Sequence, residues 1–172
     1  MALWTLTEQQ TIKPVSGNFP LAKFDQMATE TQVEDLQKLL GYDFYQDIIQ
    51  NPTSTANAAL LAGGTYTYNS VTYIFAGLKY VLAYLLFARY IKQSGISDTF
   101  GGMVKKNFED SRELNNGDEK NLHNDFRKIA FKYWDECKCY IYAHSTDFPY
   151  YYSDPPPRSC WDSVSYNRGF CF

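Results

Sequence analysis

Apolar residues recur every three or four positions over most of the chain, which is the period of an amphipathic α-helix. Glycine, proline and asparagine interrupt this period and mark the predicted helix ends, as at Gly41 and Asn51-Pro52. The predicted helices cover residues 21–40, 43–50, 74–91 and 118–142, with a further helical turn or two at 56–61. The pattern predicts a mainly α fold, a small bundle of about four helices.

A period of two replaces the helical period over residues 65–73, where threonine alternates with tyrosine. Such alternation is typical of a β-strand, and Asn69-Ser70 between the two runs predicts a tight turn because asparagine tolerates a left-handed backbone. We therefore predict a β-hairpin over residues 65–73, inserted into the helical domain. Farther along the chain, Ser94-Gly95 and Gly101-Gly102 bracket a predicted loop.

The predicted helix after the hairpin is apolar on nearly every side, which is typical of a membrane span, a central core helix or a helix that meets another subunit. Lys79 lies inside the run and Arg89 and Lys92 follow it. A charge at the bilayer centre costs roughly 2.5 to 3.5 kcal/mol, so we expect no membrane span. A chain of 172 residues forms a core too small to cover such a helix completely. We therefore expect the protein to form oligomers.

The two ends of the chain differ from this helical domain, which we assign to residues 21–143. Pro14, Gly17 and Pro20 punctuate residues 1–20, which predicts an extended N-terminal arm. Residues 144–172 are rich in aromatic residues and proline and predict an extended tail. The tail either wraps its own domain or docks on a partner. The first residues show no secretion signal, so we expect a protein made in a cytoplasm.

Composition and charge reduce the number of possible function classes. With 45% hydrophobic and 17% aromatic residues, the chain is rich enough in apolar side chains to fold. Its formal net charge of -3 gives no basic footprint for sequence-specific binding of nucleic acid.

No catalytic, metal-binding or cofactor-binding motif is present in the sequence. Adjacent carboxylates such as Glu34 and Asp35 are expected on a solvated helix face. His123 and His144 lie far from any CxxC pair, so we expect no zinc site, and His144 is the one weak candidate for a functional side chain. The four cysteines are expected to be reduced thiols.

Three strings carry a resemblance to a known family: LQKLLGYDFYQDII (Leu36–Ile49), GLKYVLAYLLFARYIKQS (Gly77–Ser94) and DTFGGMVKKN (Asp98–Asn107). Together with the order of helix, hairpin, long helix, glycine-rich segment and final helix, they resemble head-to-tail connector proteins of tailed phages, as in crAss-like and other phages of gut Bacteroidetes. The similarity covers roughly residues 24–142 and includes no catalytic signature.

The resemblance implies a small helical subunit of the virion neck, assembled in the cytoplasm of the bacterial host. Such subunits form homo-oligomeric rings, typically of twelve copies, under the portal protein. The ring extends the DNA channel without sequence-specific contacts and presents a surface to other neck or tail proteins. Closed rings use head-to-tail contacts, in which one face of a subunit meets a different face of the next.

On this interpretation we assign two sets of contact residues. Contacts between subunits are assigned to Tyr66, Tyr68 and Tyr73 of the hairpin and to Tyr80, Tyr84 and Phe87 of the helix. Docking on partners is assigned to the chain ends, at Trp4, Leu6, Tyr150, Tyr151, Trp161 and Phe172.

Two alternatives remain open from the residues alone. The first is a monomeric module that binds one phage or host protein through its aromatic tail. The second is a small enzyme of unrecognised type, which would need a polar pocket with a perturbed titrating group.

Overall fold

A computed structural model describes residues 2–94, 96–99, 102–105 and 116–151 of the chain. The α-helices are α1 (Leu6–Ile12), α2 (Leu21–Thr31), α3 (Gln37–Leu40), α4 (Tyr42–Gln50), α5 (Thr55–Ala62), α6 (Leu78–Ser94) and α7 (Asn116–Ala143). A π-helical segment, Gln32–Leu36, joins α2 to α3, so the described part contains six separate helices. The prediction of a mainly α fold with a β-hairpin is confirmed, but with six helices in place of about four.

Helix α6 forms the centre of the core. Its fully buried residues are Leu78, Val81, Leu82, Ala83, Leu86 and Ala88. Helix α7 runs antiparallel to α6, since Tyr80 contacts Tyr133 and Phe87 contacts Phe126. Helices α1, α2 and α5 also contact α6. The chain therefore covers most of this helix itself, and Tyr80 and Lys92 are its exposed residues within the described range.

The N-terminal segment is part of the folded domain, which corrects the predicted extended arm. Thr5 and Glu8 form a capping box at the start of α1, in which each side chain bonds the backbone N–H of the other residue. Trp4 is only 2% exposed and packs edge-on against Phe24 of α2, with ring centroids 5.8 Å apart. Burial of this indole ties the segment to the core, and the capping box gives it a helical conformation.

Gln9 of α1 is a buried polar residue whose amide is fully used. Its Oε1 accepts from Trp4 Nε1 at 3.0 Å, and its Nε2 donates to the carbonyl oxygens of Lys13 and Ala83. The bond to Ala83 links α1 directly to the central helix α6.

We expect Gln9→Leu to lower the free energy of unfolding by about 2 kcal/mol, because it leaves the buried indole N–H of Trp4 without an acceptor. The matched control is Gln10→Leu, since Gln10 makes one long bond of 3.4 Å to the Ser16 carbonyl at the surface. Urea unfolding followed by circular dichroism measures both. Equal losses in the two variants would contradict the role given to Gln9.

The hairpin was predicted correctly, with slightly longer arms. Strands β1 (Gly64–Tyr68) and β2 (Val71–Phe75) pair antiparallel around a turn in which Asn69 and Ser70 have φ of 50° and 63°. Helix α6 begins at Leu78 and not at 74, because Gly77 adopts a φ of 87° that interrupts the helix. Ile74 therefore belongs to the hairpin.

A second strand pair lies where the sequence predicted a loop. Strands β3 (Ile96–Thr99) and β4 (Gly102–Lys105) pair antiparallel, with Ile96 opposite Lys105. The pairing follows α6 directly along the chain.

Candidate interaction surface

The hairpin has an aromatic inner face that packs on its own α7. Tyr66 lies 5.3 Å from the ring of Tyr140, and Phe75 stacks on Tyr140 at 4.2 Å. Tyr73 in turn stacks on Tyr66 at 5.4 Å. Burial, with smaller contributions from Tyr73 and neighbouring acidic groups, raises the pKa of Tyr66 to about 12. Tyr66 is thus largely covered by its own chain, which leaves little of its side chain for the predicted contact with a neighbour.

The outer face of the hairpin is exposed. Directly paired residues share a face, so Thr65 lies beside Ile74 and Thr67 beside Thr72. All four side chains are exposed, and Ile74 is 79% exposed. We assigned contacts to the tyrosines of this hairpin, which are buried or half-buried, whereas its threonines, Val71 and Ile74 are exposed.

Two glycines fix the base of the hairpin where the chain enters and leaves it. Gly63 and Gly77 have φ of 76° and 87°, and their backbones lie against each other. A Cβ on Gly77 would lie 2.7 Å from the carbonyl oxygen of Leu61. This close approach sets the position of the hairpin relative to α5 and α6.

Glu136 of α7 contacts the base of the hairpin from the other side. Its Oε2 accepts the backbone N–H of Ala76 at 3.3 Å. Burial raises the pKa of Glu136, and the bond from Ala76 offsets only part of that effect. A carboxylate at the surface therefore lies against the segment that joins β2 to α6.

The raised pKa of Glu136 makes stability depend on pH. The neutral carboxyl contributes fully to the stability of the fold below the ordinary pKa of 4.5. This contribution is lost as the pH rises through the raised pKa of the folded state. We expect Glu136→Gln to be more stable than the wild type at about pH 8 and this difference to disappear at about pH 4. Thermal unfolding across this range tests it, with the exposed Asp25→Asn as control. A difference that stays constant with pH would contradict the titration of Glu136.

The aromatic residues of α6 face α7. Tyr84 lies 5.4 Å from Tyr133, Phe87 lies 4.8 Å from Phe126, and the ammonium of Lys13 lies 4.6 Å from both phenylalanine ring centroids. Tyr80 also contacts Tyr133 but is 36% exposed. Contacts of Tyr68, Tyr73, Tyr80, Tyr84 and Phe87 with a neighbouring subunit stay predictions, and Tyr80 is the most accessible of the three on α6.

Residues 2–12 and 144–151, the described parts of the two chain ends, mostly pack on the domain. Trp4 is buried in the core and Leu6 is half-buried, so Trp4 presents almost no surface for the predicted docking contact. Tyr151 contacts the rings of Phe44, Trp134 and Tyr142, and the start of the tail therefore packs on its own domain. Tyr150 is 51% exposed. Trp161 and Phe172 lie outside the described residues.

An ionic network missed by the sequence analysis joins three helical segments. Asp35 of the π-helical segment is 9% exposed and accepts from Arg89 Nη2 at 2.7 Å and from Arg127 Nη1 at 3.0 Å. Arg89 also bonds the exposed Glu34 at 3.2 Å. Asp35 was expected on a solvated face, which is corrected here. In the sequence, Arg89 was the residue that could have indicated this network, because a charge within an apolar helix needs a partner.

A groove of about 510 Å³ lies between the N-terminal segment and α5. Its walls are mainly apolar, from residues such as Leu3, Ile49 and Leu61, and the Glu8–Lys79 ion pair lines one side. Burial opposes ionisation of Glu8, but hydrogen bonds from Lys79 and Thr5 outweigh it and lower the pKa of this carboxyl.

Two of the four cysteines, Cys137 and Cys139, lie in the described part of the chain. Cys137 is a buried free thiol whose pKa is raised by burial, whereas Cys139 is disulfide-bonded, so the expectation of four reduced thiols was wrong. Within the described ranges, no group of three or more His, Cys, Asp or Glu side chains is arranged to hold a metal ion. No helix in those ranges is long and apolar enough to cross a membrane.

Comparison with known proteins gives one match. No curated protein and no solved structure matches the chain. A family described as "Family of unknown function (DUF6712)" matches residues 36–160, a range that begins at the end of the π-helical segment and includes both hairpins and the whole α6–α7 pair. Since this range is well over half of the chain, the protein belongs to the DUF6712 family of unknown function.

Proposed function

We propose that this protein is a structural virion protein, a head-to-tail connector subunit that forms a ring between the portal and the tail. The ring extends the DNA channel, and its outer surfaces bind the portal and other neck or tail proteins. The formal net charge of -3 is consistent with DNA that passes through without being held.

One observation carries the proposal. The segments that resemble connector proteins are not peripheral: Leu36–Ile49 supplies the end of the π-helical segment, α3 and nearly all of α4, and Gly77–Ser94 is the central helix with the glycine before it. The third segment, Asp98–Asn107, contains most of the second hairpin. The resemblance thus follows the elements that form the domain, in one order along the chain.

The surface that would serve a ring differs from the one first assigned. Helix α6 is largely covered by its own subunit, so it cannot supply a broad apolar contact. The exposed large apolar residues of the described part lie at the surface of several elements, namely Leu21, Val33, Tyr42, Val71, Ile74, Tyr80, Leu122, Phe131 and Tyr150. Their exposure supports contacts made by the hairpin and by the outer sides of the helices.

The alternative of a monomeric binding module gains no support from Tyr151. Its argument needs aromatic residues free for a partner, and Tyr151 instead contacts three rings of its own domain. We therefore retain the connector as the single proposal.

Cryo-electron microscopy of the phage particle that encodes this chain tests the proposal. We expect a ring of copies below the portal, typically twelve, into which α6, α7 and the hairpin can be built. Mass spectrometry of the purified particle provides an independent control for the presence of the chain. If the chain is absent from the particle, the connector function is wrong.

A further inference from the structure

The register of the first hairpin fixes which backbone groups point away from it. Tyr68 and Val71 flank the two-residue turn and form a hydrogen-bonded pair. Tyr66 and Tyr73 form the next hydrogen-bonded pair. Along an antiparallel pair of strands, hydrogen-bonded and non-hydrogen-bonded residue pairs alternate. Thr65–Ile74 and Thr67–Thr72 are the non-hydrogen-bonded pairs, so their N–H and C=O groups point outward from the two strand edges. Within the described residues, none of these four makes a backbone hydrogen bond outside the hairpin.

Neither edge carries the features that normally prevent strand pairing. Proteins protect edge strands with charged residues, prolines or bulges. Here β1 and β2 pair without a bulge, and neither strand contains a proline. No charged residue occurs between Asp47 and Lys79, a range that includes the whole hairpin. Within the described residues, both edges therefore lack a pairing strand, and neither carries a charge or a proline that would exclude one.

The two edges match each other. Each strand has five residues, and each edge presents two outward residues separated by one inward residue. In a ring of copies related by rotation about one axis, every hairpin has the same orientation relative to that axis. Because β1 and β2 are antiparallel within a copy, β2 of one copy would also run antiparallel to β1 of the next. Closure of such a ring would leave no free edge, whereas a strand from an unrelated protein would cover only one edge and leave the other open.

We propose that the hairpins of neighbouring copies pair edge to edge, with β2 of one copy hydrogen-bonded to β1 of the next. The inference deepens the proposed connector function by naming a contact between subunits. The side chains at this contact are Thr72 and Ile74 on one copy and Thr65 and Thr67 on the other.

Proline at an outward edge position gives a direct test. Thr72→Pro removes an N–H that points out of the hairpin and leaves the bonds within the hairpin intact. The matched control, Thr72→Val, keeps that N–H and the β-branched shape. Analytical ultracentrifugation of the full-length chain over a concentration series measures assembly. We expect the wild type and Thr72→Val to assemble, and Thr72→Pro to need a roughly tenfold higher concentration or to stay a 19.9 kDa monomer.

If circular dichroism shows that Thr72→Pro does not fold, a second pair of variants tests the edge pairing. Ile74→Lys places a charge at the same edge, and Asn121→Lys places one on α7, where Asn121 is an exposed polar residue outside the accessible apolar set. We expect only Ile74→Lys to reduce assembly. A monomeric wild type at its highest soluble concentration, or assembly that withstands both Thr72→Pro and Ile74→Lys, would overturn the inference.

The outcome is separable from that of the connector proposal. A ring in the virion whose hairpins lie apart would overturn edge pairing and leave the connector function standing. Hairpin-dependent assembly of a chain that is absent from the virion would support edge pairing and overturn the connector function.

Discussion

Replacing Gly77 by alanine is expected to lower the free energy of unfolding by about 3 kcal/mol or more. Two costs combine here: an L-residue at a φ of 87° is strained by about 1–2 kcal/mol, and an added methyl group in a close-packed site costs about 1–3 kcal/mol. The new Cβ would meet the backbone of Gly63 and Leu61, which cannot rotate away as a side chain can. Guanidinium unfolding followed by circular dichroism measures the loss.

Gly17→Ala is the control for this substitution. Gly17 is exposed, has no atom within 4 Å of an added Cβ and does not have a positive φ in the strained range. We expect its effect to stay within about 1 kcal/mol of the wild type, in either direction. If Gly77→Ala were as stable as Gly17→Ala, the close contact at the base of the hairpin would be disproved.

Asp35→Asn is expected to cost about 3 kcal/mol, because it leaves the guanidinium groups of Arg89 and Arg127 without the carboxylate between them. Arg89 is 19% and Arg127 31% exposed, so part of each charge remains solvated and the loss stays below that of a fully buried pair. The network joins the π-helical segment to α6 and α7, and its loss should also reduce the cooperativity of unfolding. Urea unfolding gives both the midpoint and the slope.

Glu34→Gln provides the matched comparison one residue away. Glu34 is 61% exposed and bonds Arg89 alone, so its neutralisation should cost less than about 1 kcal/mol. A double-mutant cycle between Asp35→Ala and Arg89→Ala should give a coupling of about 1–3 kcal/mol. Additive losses in that cycle would show that the two residues act independently.

The corrected assignments share a physical cause. The apolar helix α6 was expected to need a neighbouring subunit, yet α1, formerly taken as an extended arm, and the helices α2, α5 and α7 cover it. Trp4 and Tyr66 were assigned to contacts outside the chain on the connector interpretation, and large aromatic residues do favour interfaces. The same residues favour cores, and the sequence pattern does not distinguish the two environments.

The sequence by itself determined the local elements: helix ends at Gly41 and Asn51, the two-residue turn at Asn69-Ser70, and the long stripe of α7. These follow from backbone preferences and short-range periodicity, which act over a few residues. Only the tertiary structure decided that Asp35 meets Arg89 and Arg127, that Gly63 lies against Gly77, and which face of the hairpin remains open. Those facts depend on pairs of residues far apart along the chain, whose distances are set by the packing of whole helices and not by the identity of either residue.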